Sequence, residues 1–368
     1  MVAGDGRNRT IDGLRGYLAL GVLCSHFVVN WNFTRTATWS EPDITVFRNM
    51  GPVAVAMFFM ITAFLFYGKI VRQRGKLSWH AIFLGRILRL TPMYVVSVLL
   101  MFLIVGWHTE FTLAVPVSDI LKSAARWLSF TLFGAPDLNG FPNTYTIFAG
   151  VTWTLRYEWV FYFFLPVVAL AFRIAGASKT ARIAVLLAVL LTVFGAPAVR
   201  IGFVDTKLCA PFILGMLVYE CFQGRRLAVF ASSRAASVVV AILIAASLLF
   251  PWDSFGVAQT SLAAGAFLLI AAGTPLFGLL RHPASIALGD ASYSIYLLHG
   301  AILHLMFQFA LRSTWNLDSS AIWLLLPVAV AVASLVSLIT YRYVEKPFML
   351  MGKGPKSIAR GQVQAVAP

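Results

Sequence analysis

Arg15 and His26 lie eleven positions apart in the first apolar segment of the chain, which begins at Ile11. In a helix, eleven steps of about 100° make roughly three turns plus 20°, so the two side chains share a face, about 16 Å apart along the axis. Ionisable groups inside a bilayer cost several kcal/mol each and mark function. A guanidinium grips phosphate or carboxylate through paired donors. An imidazole takes up and returns a proton near neutral pH. Three further arginines fall inside apolar segments: Arg86, Arg89 and Arg156. Arg86 and Arg89, three apart, share a helix face. With Arg15 at a similar depth, the three are expected to converge into a site for a polyanion such as phosphate. The competing reading is that they snorkel to headgroups. Thr91-Pro92 follows and is expected to kink that helix.

Glu158 stands in the run Thr152-Trp-Thr-Leu-Arg-Tyr-Glu. Counting from opposite surfaces puts it level with His26, where a carboxylate would orient the imidazole as a base. Alternatively Glu158 pairs with Arg156 or another cation as structural glue. Tyr162 lies one turn further on the same face. In the ninth segment, Asp290 or Ser292 is the expected helix cap. Tyr293 and Tyr296 are read as interface anchors or packing. Buried His299 is read as a supporting residue, and His304 is a weaker candidate. Glu345 is a candidate partner for one of the cytoplasmic arginines.

The elements that must position these groups are membrane helices. Hydrophobic residues make up 60% of the 368 and charged residues only 12%, with a mean hydropathy of +0.82. That composition excludes a soluble domain of this length. Ten spans are expected, at about 11–31, 48–69, 80–106, 150–173, 181–199, 207–223, 235–250, 257–276, 291–312 and 321–343. The first is read as a retained helix, because no small-residue cleavage pattern follows it. With the N-terminus inside, 18 Lys and Arg fall in inner loops and tails against 7 in outer loops. This positive-inside bias makes both termini cytoplasmic and accounts for the net charge of +15 without nucleic acid. The fold expected is therefore an all-α polytopic membrane protein. A transmembrane domain occupies residues 1–350, and a basic, disordered cytoplasmic tail occupies 351–368. The one long outer loop, about 107–149, joins an amphipathic stretch near 120–130 to a Gly/Pro/Asn-rich piece. Cys24, Cys209 and Cys221 sit in apolar segments and are assigned to packing.

Six pieces, in order, carry a family resemblance: Ile11-Asp-Gly-Leu-Arg-Gly with His26 eleven residues after Arg15; Phe58 to Leu65; Arg86-Ile-Leu-Arg89; Trp153 to Glu158; Ser292-Tyr-Ser-Ile-Tyr-Leu-Leu-His299; and Tyr343-Val-Glu-Lys-Pro347. The chain resembles the membrane acyltransferase-3 family, which transfers acyl groups to extracytoplasmic glycans and related acceptors. It departs from the family pattern at Thr62-Ala63, at Arg156 and at Trp159. The resemblance implies an acyl-CoA co-substrate, such as acetyl-CoA, and no permanently bound cofactor. It also implies a glycan or glycoside acceptor and residence in the inner (plasma) membrane. Arg15, Arg86 and Arg89 would hold the CoA phosphates. His26 would act as general base, oriented by Glu158, with Tyr162, His299 and Glu345 in support. An acyl-histidine intermediate is the other route open to His26. A proton-coupled transporter is the rival function, since buried Arg, His and Glu also serve proton relays. Against it, the two halves of the chain show no repeat.

Overall fold

The computed structural model describes residues 8–175, 178–195, 199–310 and 321–352. Arg7, Arg312 and nearly all of the basic tail lie outside these residues. Among the described residues the regular elements are helices apart from one hairpin of two-residue strands, β1 (Arg200–Ile201) and β2 (Val204–Asp205). Four helices are long and apolar enough to cross a membrane: α2 (Thr45–Arg72), α3 (Trp79–His108), most of α5 (Trp153–Ala175), and the last helical stretch, Ala321–Met351. That last stretch contains α13 (Leu325–Thr340) and α14 (Lys346–Met351). Two bent pairs raise the number to six. One is α8 (Arg225–Ala231) with α9 (Arg234–Leu249), bent by 82°; the other is α11 (Pro283–Asp290) with α12 (Ser292–Leu305), bent by 71°.

Each of the ten expected spans overlaps a helix, but not all are long and apolar enough to cross: the first, on Arg9–Thr36, has the length without the apolarity, and others are too short. Helices α6 (Lys179–Gly195), α7 (Ala210–Cys221) and α10 (Val257–Ala271) have 17, 12 and 15 residues, below the ~20 a bilayer core requires. The amphipathic stretch of the long loop is a separate helix, α4 (Val117–Leu128). Its Trp127 is fully buried and donates to the Pro136 carbonyl at 2.9 Å. Helix α3 continues unbroken through Pro92. Cys24 and Cys209 are half-buried, whereas Cys221 is exposed rather than packed; all three are free thiols.

The first helix, α1 (Arg9–Thr36), is the axle of the bundle and packs against α2, α11 and α12. Asn8 caps its start, accepting from the Ile11 N–H at 3.4 Å. Asn8 and Thr10 also donate to the Ala271 and Ile270 carbonyls, which ties the start of α1 to the end of α10. Glycines let α1 and α11 approach backbone to backbone. A Cβ on Gly289 would stand 1.7 Å from the Asp12 carbonyl oxygen, and one on Gly13 would stand 2.1 Å from that of Leu280. The glycines of the Ile-Asp-Gly-Leu-Arg-Gly run are therefore packing residues, and they set the depth and rotation of Arg15. Both described ends of the chain gather near this point, for Arg89 donates to Met349 Sδ of α14 at 3.7 Å.

Candidate active site

A cavity of about 310 Å³ opens between α1, α2, α3, α5 and α12. It is at the lower end of the roughly 300–1,000 Å³ of small-molecule pockets. Arg15, Arg86, Arg89 and Lys69 line it together with Glu158. The three arginines expected to converge do so. Lys69, which the sidedness count placed in a loop, joins them as an exposed residue at the mouth. Val55, Phe58, Phe59 and Tyr296 give the remainder of the cavity an apolar wall.

The guanidiniums are held in place but hardly engaged. Arg86 lies between two rings, 4.8 Å from the Phe66 centroid and 5.7 Å from that of Tyr162, and it donates to the Tyr162 hydroxyl at 3.3 Å. Among the described residues Arg89 donates to the weak Met349 sulfur alone. Arg15 makes no hydrogen bond or ion pair among the described residues, and neither do most of the five donors that Arg86 and Arg89 each carry. Glu345 is fully buried, accepting from Ser294 at 2.6 Å, within electrostatic reach of Arg89 and Arg15 but not in ion-pair contact with them. Its π-helical turn, Tyr341–Glu345, links α13 to α14 and sets it behind the arginines rather than at the surface. Half-buried guanidiniums with donors to spare, and with no carboxylate in ion-pair contact among the described residues, have the chemistry to take an anion.

Glu158 does not contact His26, contrary to the sequence expectation. It accepts a short hydrogen bond from Tyr162, whose hydroxyl in turn receives Arg86. Its chemistry therefore belongs to the cationic cavity. Nor does it pair with Arg156, which donates to Thr131 at 3.2 Å and lies 6.0 Å from the Phe203 ring.

The partner of His26 is His299. Nδ1 of His299 lies 3.1 Å from the Ile295 carbonyl oxygen, which can only accept, so that nitrogen carries the proton. In the neutral ring, His299 Nε2 is then an acceptor. Nδ1 of His26 lies 3.2 Å from it and 3.1 Å from the Val22 carbonyl oxygen. His26 Nδ1 must therefore be the N–H, which leaves Nε2 as the bare, basic nitrogen. His299 is 0% exposed, and His26 is only half-buried. The geometry is that of an imidazole whose tautomer is fixed by a second imidazole.

Tyr296 joins the two halves of the site. Its ring is 6.1 Å from that of His299 and 6.0 Å from that of Phe58, and its hydroxyl is 2.9 Å from that of Thr154. Tyr293 is buried too, donating to the Leu90 carbonyl at 3.0 Å. Neither tyrosine is an interface anchor. The missed signal was their spacing: 293, 296 and 299 step along one side of α12 toward His26. Neither Asp290 nor Ser292 caps α12, because α11 leads into it through Ala291. His304 pairs instead with His108, Nε2 to Nε2 at 2.9 Å.

Fold and site together define a membrane protein with a cation-lined cavity beside a pair of imidazoles. The chain belongs to the acyltransferase-3 family, for the family model, an acyltransferase domain, matches residues 8–342. It is accordingly a membrane acyltransferase. Nodulation protein 10 of Rhizobium leguminosarum bv. viciae is a relative, 27% identical over 384 residues covering 94% of each chain. No solved structure matches.

Proposed function

We propose that this enzyme moves an acyl group, such as acetyl, from acyl-CoA on the cytoplasmic side to a hydroxyl of an extracytoplasmic or membrane-associated glycan, in the inner membrane. The observation that carries this reading is the set of unspent guanidinium donors of Arg15, Arg86 and Arg89 around one cavity whose wall includes Tyr296, next to His299. Phosphates of the donor bind at the cationic end, with Lys69 at the mouth. Glu158 and Tyr162 hold Arg86 in place. The cavity suits an extended arm, and the nucleotide stays at the mouth. The arm runs along the apolar wall past Tyr296 toward His26.

His26 Nε2 takes the proton of the acceptor hydroxyl as its oxygen attacks the thioester carbonyl carbon. The carbon–sulfur bond breaks, and the proton passes to the departing thiolate, leaving an ester and free CoA. His299 Nε2 accepts from His26 Nδ1 throughout and so stabilises the imidazolium that forms.

The test separates binding from chemistry. His26→Ala is expected to bind acetyl-CoA like the wild type while transfer of labelled acetyl falls by ~10²–10⁴-fold. Full transfer by that variant would end the role of His26. Arg86→Ala/Arg89→Ala is expected to lose CoA affinity by ~10²-fold or more, since each charge-assisted contact contributes about 1.5–3 kcal/mol. Unchanged affinity would remove the phosphate site.

A further inference from the structure

Beside His26, and outside the lining of the cationic cavity, lies an aromatic cluster that the donor path does not use. After α1, Ala37 takes a left-handed conformation (φ 54°) and turns the chain, so that Trp39 comes back over the helix. The Trp39 ring lies 6.5 Å from the His26 ring, tilted by only 24°. Phe33 and Tyr145 meet Trp39 edge-on, at 5.4 and 6.2 Å. Tyr145 comes from the long loop, which here is firmly built. Thr144 binds the Phe141 carbonyl and the Leu138 N–H at 2.8 and 3.0 Å, and Phe148 and Ala149 sit directly on Gly300, next to His299. A Cβ at Gly300 would stand 2.4 Å from the Phe148 carbonyl carbon. The same α12 therefore positions both the imidazole pair and the aromatic cluster.

Trp39 and Tyr145 remain half-buried, and neither the indole N–H nor the phenol hydroxyl has a hydrogen-bond partner among the described residues. Buried Trp and Tyr in a finished core usually satisfy these groups. Here an accessible aromatic surface, two unspent polar groups and the bare Nε2 of His26 adjoin one another. Aromatic faces carry partial negative charge, which attracts the slightly positive C–H groups on the face of a saturated ring. The flanking N–H and O–H groups match ring hydroxyls.

We infer that Trp39, with Phe33 and Tyr145, forms the acceptor subsite and takes a pyranoside ring in preference to an open-chain alcohol, presenting one hydroxyl to His26. This assignment rests on the proposed transfer reaction, and the two are tested on the same samples of full-length protein in lipid nanodiscs. Binding of a panel of methyl pyranosides, and of sorbitol as the open-chain control, is read by saturation-transfer NMR without any donor. Transfer of label from acetyl-CoA to the same compounds is read by mass spectrometry.

The wild type is expected to saturate pyranoside ring C–H signals and not those of sorbitol. Trp39→Ala should weaken pyranoside binding, and raise the acceptor KM, by about tenfold, the worth of one stacked aromatic contact. Trp39→Phe should keep most of the binding, Tyr145→Phe should lose a few-fold, and acetyl-CoA affinity should be unchanged in all three, which also verifies folding. Equal pyranoside affinity in wild type and Trp39→Ala overturns the subsite, as does sorbitol binding as well as the pyranosides or an absence of pyranoside binding by the wild type. Trp39-dependent binding without transfer to any member of the panel supports the subsite and counts against the reaction. Transfer indifferent to Trp39 supports the reaction and overturns the subsite.

Discussion

At the scale of single residues, the arrangement turns on which nitrogen of His26 is bare. Val22 and His299 both lie against Nδ1, and His299 is itself oriented by the Ile295 carbonyl. In the proposed mechanism His299 is a positioning residue that acts through His26. His299→Leu should lower kcat by about 10²-fold with donor affinity and KM little changed, because the imidazolium loses its stabilising acceptor. His299→Gln, whose amide can both donate and accept, should recover part of that loss. Steady-state kinetics on the two variants checks this, and equal kcat in Leu and Gln would assign His299 to packing alone. Glu158 is likewise placed by its neighbours. A carboxylate in a cavity with Arg86 is satisfied as a counter-ion that orders the cation through Tyr162, so it has no need of the imidazole.

Between elements, the decisive contacts are those made by residues with no side chain. Gly289 and Gly13 bring α11 and its neighbouring turn onto the backbone of α1, around Arg15. At Gly289 the obstructing atom is a carbonyl oxygen of the opposing helix, which no rotamer change can move aside. Gly289→Ala should therefore force the helices apart, costing ~1–3 kcal/mol. It should also weaken CoA binding, because Arg15 moves with α1. Thermal unfolding in detergent and a binding isotherm for CoA test both consequences. A variant as stable as wild type, with unchanged affinity, would show that the close approach is dispensable.

Over the whole bundle, a polar tie stands apart from the cation-lined cavity. Arg182 of α6 grips Glu220 of α7 through two nitrogens, at 2.7 and 3.0 Å, and Tyr67 of α2 donates to the same carboxylate at 2.5 Å. Arg182 is 17% exposed and Glu220 2%, so this is a buried pair and not a loop cation of the kind the sidedness count assumed. Since α6 and α7 are short, apolar length alone fixes neither, and the pair pins both to the central α2. Removing the cation strands a buried carboxylate, so Arg182→Ala should destabilise the protein by about 3–5 kcal/mol. Arg182→Met combined with Glu220→Gln should regain most of this, because the charge is gone and the amide still accepts from Tyr67. Equal unfolding temperatures for the single and the double variant would contradict the argument.

The sequence alone determined that this is a helical membrane protein, which faces carry charge, and that Arg15, Arg86 and Arg89 belong together. These readings hold because bilayer length and the 3.6-residue period act within one segment. It did not determine that His26 meets His299 rather than Glu158, that Tyr293 and Tyr296 face the cavity, or that Trp39 and Tyr145 stand beside His26. Depth can be counted along a helix, but azimuth between helices cannot, and a rotation equivalent to one residue, about 100°, exchanges one neighbour for another. Glycine contacts at Gly13, Gly289 and Gly300 set those rotations, and only the assembled bundle decides which backbone each one meets.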